Sequence, residues 1–335
     1  MYNKSMKKVN IGIIGSGFIV PVFITVSKMF KEYHLRAIWG RHEEKLLNFK
    51  DEVDYYTTDL ERILSDDQID AIYVALPNSL HYEYAMKALK HGKHVILEKP
   101  FTVSYKAAKK LIDYAKKHDL IIFEAIVTKH NPYYHKAIKA VDELGEIRMV
   151  VANFSQYSRR YDKFRQGIIL PAFDKDLAGG ALMDLNVYNI HFVAGMFGAP
   201  KKVTYHANIE KGVDTSGVLV MDYGNFKATC IAAKDCKSEC YGLIEGDKGY
   251  LRNNSTCSRC ADFTVRMNDG KEKHFCQEEK GEFDSWKYEM KEFLRLFKKM
   301  DLEKAQEYNK ETLIVARILD DAISSAGLDY KEAGL

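Results

Sequence analysis

Apolar and polar positions change rhythm once along this chain, near residue 125. Over residues 9–124, short apolar runs alternate with stretches in which apolar positions recur every three or four residues. The runs predict strands at 9–14, 35–39, 71–76, 94–97 and 120–123, and the periodic stretches predict helices near 20–32, 43–50, 58–66, 80–91 and 104–118. Strands separated each time by a helix run parallel, so this part predicts a doubly wound parallel α/β sheet of the Rossmann type. Beyond residue 125, the segments 147–156, 202–209, 218–223, 226–232, 241–245 and 263–267 read as strands. Turn sequences such as Asp222-Tyr-Gly-Asn, Glu245-Gly-Asp-Lys-Gly249 and Met267-Asn-Asp-Gly270 separate several of them. That pattern predicts an α+β domain with a mainly antiparallel open sheet covered by helices. The expected division is residues 1–124 and 125–335.

Two late helices read as scaffold. Phe283, Trp286, Met290, Phe293, Leu294 and Phe297 share one helical stripe, a core pattern that leaves little room for a cofactor. Residues 311–326 behave alike, and Gly327 suits a helix stop. Neither is expected to carry chemistry.

Composition narrows the classes without choosing among them. A chain of 335 residues can bury two cores, and a net charge of +3 is too small to point to nucleic acid or a membrane surface. No apolar run is long enough to span a bilayer, and residues 1–8 lack the apolar core of a secretion signal. A cytoplasmic protein with reduced cysteines is expected. Cys236, Cys240, Cys257 and Cys260 have spacing that a structural zinc site could use. Against that, Cys240 adjoins a strand, and Cys230 and Cys276 lie in strand-like runs where a thiol is a small hydrophobe. The spacing leaves both readings open, and no metal ligand is expected.

Candidate chemistry gathers at the ends of the predicted strands. Strand 9–14 runs into Gly15-Ser-Gly17, where small residues let backbone amides approach a pyrophosphate at the start of a helix. Val20 stands where a third small residue is usual, which predicts looser packing of that helix on its strand. Where an acid would hold the ribose hydroxyls of NAD, the chain has Gly40-Arg41. Glycine makes room there and a guanidinium can grip a 2′-phosphate, which favours NADP and leaves NAD possible. The alternative makes Arg41 a solvated residue opening the helix 43–49. Lys99 follows strand 94–97 and would present an ammonium where ligands of open α/β sheets collect.

A second cluster lies in residues 177–191. The glycine pair Gly179-Gly180 precedes Asp184, Tyr188 and His191 at i, i+4 and i+7, so all three project from one helix face. Three polar groups on an otherwise apolar helix are costly unless they face a cleft or one another. In the cleft reading, Lys99 stabilises the Tyr188 phenolate and draws its pKa down from about 10. The alternative satisfies the tyrosine and histidine with backbone partners inside the second domain.

These segments resemble the Gfo/Idh/MocA oxidoreductase family, the group containing glucose-fructose oxidoreductase, inositol dehydrogenase and dimeric dihydrodiol dehydrogenase. The resemblance covers nearly the full length. Its carriers are Ile11-Gly-Ile-Ile-Gly-Ser-Gly17, Ala75-Leu-Pro-Asn78-Ser-Leu-His81, Glu98-Lys99-Pro100 and Gly179-Gly180-Ala-Leu-Met-Asp184-Leu-Asn-Val-Tyr188. The resemblance implies that Gly15, Gly17, Phe18 and Ile19 form the pyrophosphate turn and that Arg41 recognises the adenosine phosphate. It further implies that Leu76, Asn78, His81, Glu98 and Lys99 line the nicotinamide half. Lys99, with a cis peptide before Pro100, and the pair Asp184 and Tyr188 match the catalytic positions. Lys129, Arg160 and His191, with the segment Gln156-Tyr-Ser-Arg-Arg-Tyr161, are candidates to hold substrate hydroxyls. Asn186 and Thr128-Lys129-His130 depart from the usual pattern.

The implied activity is reversible hydride transfer between NADP and a hydroxyl or carbonyl carbon of a sugar, polyol or diol, with Lys99 and Tyr188 handling the proton. The open second sheet invites face-to-face pairing, and the resemblance implies a homodimer or homotetramer. A catalytically silent dinucleotide sensor is the alternative class, and it has no need of Lys99, Asp184 and Tyr188.

Overall fold

Val9–Ile14 (β1) is buried along nearly its whole length, which suits a strand at the centre of a sheet covered on both faces. In this computed structural model, which describes residues 8–277, 281 and 283–335, β1 is flanked by β2 (Tyr33–Trp39) and, beyond it, the short β3 (Tyr55–Thr57). Of residues 1–8 weighed above, only Lys8 is among those described. On the other side lie β4 (Ala71–Val74), β5 (His94–Glu98) and β6 (Ile122–Ala125). The order is β3-β2-β1-β4-β5-β6 and every pairing is parallel. Connections diverge between β1 and β4, and the crevice above that switch point is where such sheets bind ligands.

Three features differ from the expected elements. β2 starts at Tyr33 rather than 35, because the buried Tyr33 hydroxyl donates to the Met290 carbonyl at 2.7 Å and draws the chain into the sheet. The helix after the glycine turn, α1 (Val20–Ser27), is shorter than 20–32. Val20 is wholly buried in the first sheet's core, so that core accommodates the larger side chain.

The second sheet holds β7 (Ile147–Ser155), β8 (Lys202–Glu210), β9 (Val213–Asp222), β10 (Lys227–Ala233), β11 (Tyr241–Gly246), β12 (Gly249–Asn253), β13 (Asp262–Met267) and β14 (Glu272–Cys276). Its order is β14-β13-β12-β11-β7-β10-β9-β8, with β7 and β10 parallel and the other neighbours antiparallel. β12 and β14 lie outside the expected strands.

Helices cover one face of this sheet and lock it to the first. Tyr105–Lys117 (α2) belongs to the first sheet's helical cover, and Val187–Phe197 (α3) lies against β7 and β10. Asp284–Lys299 (α4) packs on the first sheet, where Phe293 stacks on Phe123 of β6 with ring centroids 4.1 Å apart. Leu302–Ala326 (α5) touches both β8 and α2, so one long helix spans the two sheets. Among the described residues no helix is long and apolar enough to cross a membrane. None of their His, Cys, Asp and Glu side chains form a group of three or more that could hold a metal ion, and Cys257 and Cys260 are buried in the second core.

Candidate active site

A cavity of about 900 Å³ follows the C-terminal edge of the first sheet, bounded on its far side by the second. Its first end is built by β1 and the turn after it. Gly15 has φ +123°, and a Cβ there would strike the Ala75 carbonyl, so only glycine lets the chain turn at this point. A Cβ on Gly17 would meet nothing within 4 Å, so the turn leaves open space beside its backbone. α1 begins with no side-chain cap and no acid in its first turn, and its positive end therefore lies open to an anion. These features fit a dinucleotide pyrophosphate.

The same end carries Arg41, His42 and Lys45, placed after β2, and all three line the cavity. Of the three, only Arg41 is expected from the sequence. Phe18, 73 % exposed, lies under the Arg160 guanidinium at 5.0 Å, so the second domain reaches across to the glycine turn.

At the other end, β5 delivers Glu98 and Lys99, joined to Pro100 by a cis peptide. The Lys99 Nζ donates to the Asp184 backbone oxygen at 2.9 Å and to its Oδ1 at 3.0 Å. It also stands 4.8 Å from the centre of the Tyr188 ring. The three residues named as catalytic in the resemblance therefore meet in one wall.

A fourth residue, absent from the sequence reading, completes them. Lys234 follows β10, is 2 % exposed, and donates to Asp184 Oδ2 at 2.8 Å and to the Ala172 carbonyl at 2.7 Å. Burial opposes the Asp184 charge, but Lys99 and Lys234 hold its carboxyl far below the usual range. A lysine closing an apolar strand was the available signal, the same one that marks Lys99.

The phenol departs from expectation. Burial, followed by Glu98, Asp184 and Glu289, pushes Tyr188 up to about 12, although Lys99 pulls the other way. Desolvation outweighs one neighbouring ammonium, and Tyr188 is a neutral O–H donor near pH 7. Burial also works against the Lys99 ammonium, yet Tyr188 and Asp184 keep its pKa above the ordinary lysine value.

Leu76, Asn78 and Glu98 line the cavity. The Asn78 amide donates to the Ala178 carbonyl at 2.8 Å, a bond between the two halves. Glu98 accepts from the Tyr73 hydroxyl at 2.5 Å and from the Lys99 amide at 3.2 Å. His81 is wholly buried behind the wall, with its ring nitrogens 2.8 Å from the Pro100 oxygen and 2.9 Å from that of Leu76. It is a strut between the two strand ends and does not line the cavity.

Two of the substrate candidates also lie elsewhere. His191 is 1 % exposed, its Nδ1 3.2 Å from Glu311 Oε1 and its Nε2 3.2 Å from Glu124 Oε2, out of line for a hydrogen bond. Lys129 pairs with Glu311 at 3.0 Å and donates to the Tyr308 carbonyl at 2.9 Å. The reason for His191 is local: in the regular helix α3 it lies about 4.5 Å farther along than Tyr188, one layer deeper. Arg160 does line the cavity, beside Gln156, Tyr157, Ser158 and Arg159. Trp286 and Glu289 of α4 line it too, although that helix reads as pure scaffold.

The fold places the molecule among two-domain proteins whose first domain is a Rossmann dinucleotide-binding unit. Residues 9–126 match the profile of an oxidoreductase family with an NAD-binding Rossmann fold, and residues 134–252 match the GFO/IDH/MocA C-terminal domain. The chain belongs to the GFO/IDH/MocA oxidoreductase family. It is 31% identical over 325 residues to the scyllo-inositol 2-dehydrogenase (NADP(+)) IolU of Bacillus subtilis, covering 96% of this chain and 98% of that one. It is 28% identical over 322 residues to the D-xylose 1-dehydrogenase (NADP(+)) 2 of Haloferax volcanii, covering 94% and 96%. Among solved structures, the 3-ketoreductase KijD10 of Actinomadura kijaniata, in complex with NADP and TDP-benzene, superposes with a TM-score of 0.80 at 22% identity, covering 95% of this chain and 98% of that one.

The buried His191 cluster generates a stability prediction. Burial opposes the imidazolium, but Glu124 and then Glu311 outweigh it and raise the pKa from 6.5 to about 9. A raised value means that the contribution is complete below pH 6.5 and is lost as pH rises through about 9. The thermal midpoint of the wild type therefore falls across that interval, and His191→Gln flattens the fall. A wild-type midpoint constant over the interval contradicts the pairing.

Proposed function

We propose that the protein transfers a hydride between NADP and the hydroxyl or carbonyl carbon of a sugar, polyol or diol. The observation that carries this reading is the meeting of Lys99, Asp184 and Tyr188 at one end of the cavity whose other end is the glycine turn. The relatives named above, one acting on a cyclic polyol and one on an aldose, support the substrate class. Arg41, His42 and Lys45 favour the phosphorylated dinucleotide, since three basic side chains stand where an acid would select NAD.

The bound nicotinamide supplies the hydride chemistry. The protein's part is positioning and charge. In the reductive direction the Lys99 ammonium stabilises negative charge growing on the substrate oxygen. Tyr188, neutral at physiological pH, delivers its hydroxyl proton to that oxygen, and oxidation reverses the transfer. Asp184, held between Lys99 and Lys234, takes no proton and fixes the direction of the Lys99 Nζ. Arg160 and its neighbours 156–159 form the wall available to substrate hydroxyls.

Oligomer contacts belong, in this reading, to the open face of the second sheet. Met149 and Val218 are 42% and 37% exposed, and Val151, Val220, Ile231 and Leu243 lie beside them on the same face, partly exposed. Light scattering then returns a dimer or tetramer that Val218→Glu weakens; a monomeric wild type removes this assignment.

Two variants test the chemistry. Arg41→Ala weakens NADPH binding by about tenfold or more and NADH binding by less than about twofold, the loss of one charged hydrogen-bonding partner. Equal weakening of both dinucleotides removes the phosphate argument. Lys99→Met lowers kcat by about 10²–10⁴-fold on the polyol or aldose that the wild type turns over, with the Kd for NADPH within about tenfold. A normal rate in that variant refutes the role of the amine.

A further inference from the structure

Glu289 lies on the apolar stripe of α4, between Trp286 and Phe293, and is 4% exposed. Its Oε1 has no hydrogen-bond partner among the described residues. The residue lines the main cavity together with Glu98, Ala125 and Trp286, and it also lines a small void behind them that reaches Ile19 and Tyr73. A carboxyl in such a place is costly unless a ligand completes its hydrogen bonds.

Burial, reinforced by Glu98 and Glu124, raises its pKa well above the ordinary carboxyl range. In the neutral form it offers one O–H donor and one carbonyl acceptor. Its polar neighbours are already engaged. Glu98 accepts from Tyr73 and from the Lys99 amide, and the Lys99 ammonium is held by Asp184. Glu289 therefore brings an unpartnered Oε1 and, in the neutral form, an O–H donor beside an acceptor to the end of the cavity where Lys99 and Tyr188 require the reacting ring. A primary carboxamide has the complementary pair.

We propose that Glu289 binds the carboxamide of the nicotinamide ring, accepting from its N–H and donating to its oxygen, and so sets which ring face turns toward Lys99. The assignment rests on the cofactor reading above. It gives α4 a part in the site as well as in the core.

The test is equilibrium binding, with no turnover needed. Calorimetry compares NADPH with the reduced 3-acetylpyridine analogue, in which a methyl replaces the amide nitrogen. Wild type binds NADPH about tenfold or more tighter than the analogue, because the analogue leaves a buried acceptor unpaired. Glu289→Gln, which keeps a donor and an acceptor, retains that preference to within about threefold. Glu289→Leu, an apolar replacement suited to the buried site, binds the two dinucleotides within about twofold of each other. A wild type with no preference, or a folded Glu289→Leu protein with the full wild-type preference, overturns the assignment while leaving the cofactor reading intact. A wild type that binds neither dinucleotide overturns both.

Discussion

The site depends on one carboxylate held between two ammonium groups. Asp184 takes Lys99 on one oxygen and Lys234 on the other, at 3.0 and 2.8 Å. Lys99 stands at the end of β5 in the first sheet, Lys234 follows β10 in the second, and Asp184 lies in the π turn that opens into α3. Each component needs the others. Lys234 is 2 % exposed, so removing its carboxylate partner leaves a charge that the interior cannot solvate, which costs about 3–5 kcal/mol. The strand ends and the helix start are therefore fixed relative to one another, and the two halves of the molecule with them.

That arrangement decides how the titrating groups divide the work. Two cations on one anion leave a net positive charge where a substrate oxygen would sit. Tyr188 is half-buried in the same wall, and desolvation there beats the lysine and keeps the phenol protonated. A fixed cation and a neutral proton donor suit a reaction in which negative charge grows on oxygen as hydride arrives. Lower down, the pairs of His191 with Glu124 and Glu311, and of Lys129 with Glu311, bind α3 to β6 and α5. Their charges serve packing, so the helix that bears Tyr188 is anchored one turn below the cavity.

How far the sequence carries depends on whether a feature is local. The first sheet was readable because its central strands are short, mostly apolar runs separated by helical periods, and β1 falls where its pattern puts it. β3 was not, since three residues of mixed polarity are too few to show a period. The glycine turn, Glu98-Lys99-Pro100 and Asp184-to-Tyr188 were readable as short motifs whose spacing follows from backbone geometry. His191 misled because it shares regular helix α3 with Tyr188 but lies about one turn farther from the cavity, where the helix is already packed in the core. Lys234 meets Asp184 and Ala172 across 50 and 62 residues of chain, and Glu289 lines a cavity that both halves build, and no local period marks such placements. Glu289 did leave a trace: an acid within the apolar stripe of a helix that otherwise reads as scaffold.

The central claim is that the reacting ring lies against Lys99 and Tyr188 while its phosphates lie on the glycine turn. A crystal structure with bound NADP tests it directly. The pyrophosphate is expected at the amides of Gly15–Ile19 and nicotinamide C4 facing the Lys99 Nζ and the Tyr188 hydroxyl, with room between them for one substrate oxygen. A dinucleotide lying elsewhere, or a ring with Lys99 and Tyr188 on opposite sides of a packed wall, contradicts it.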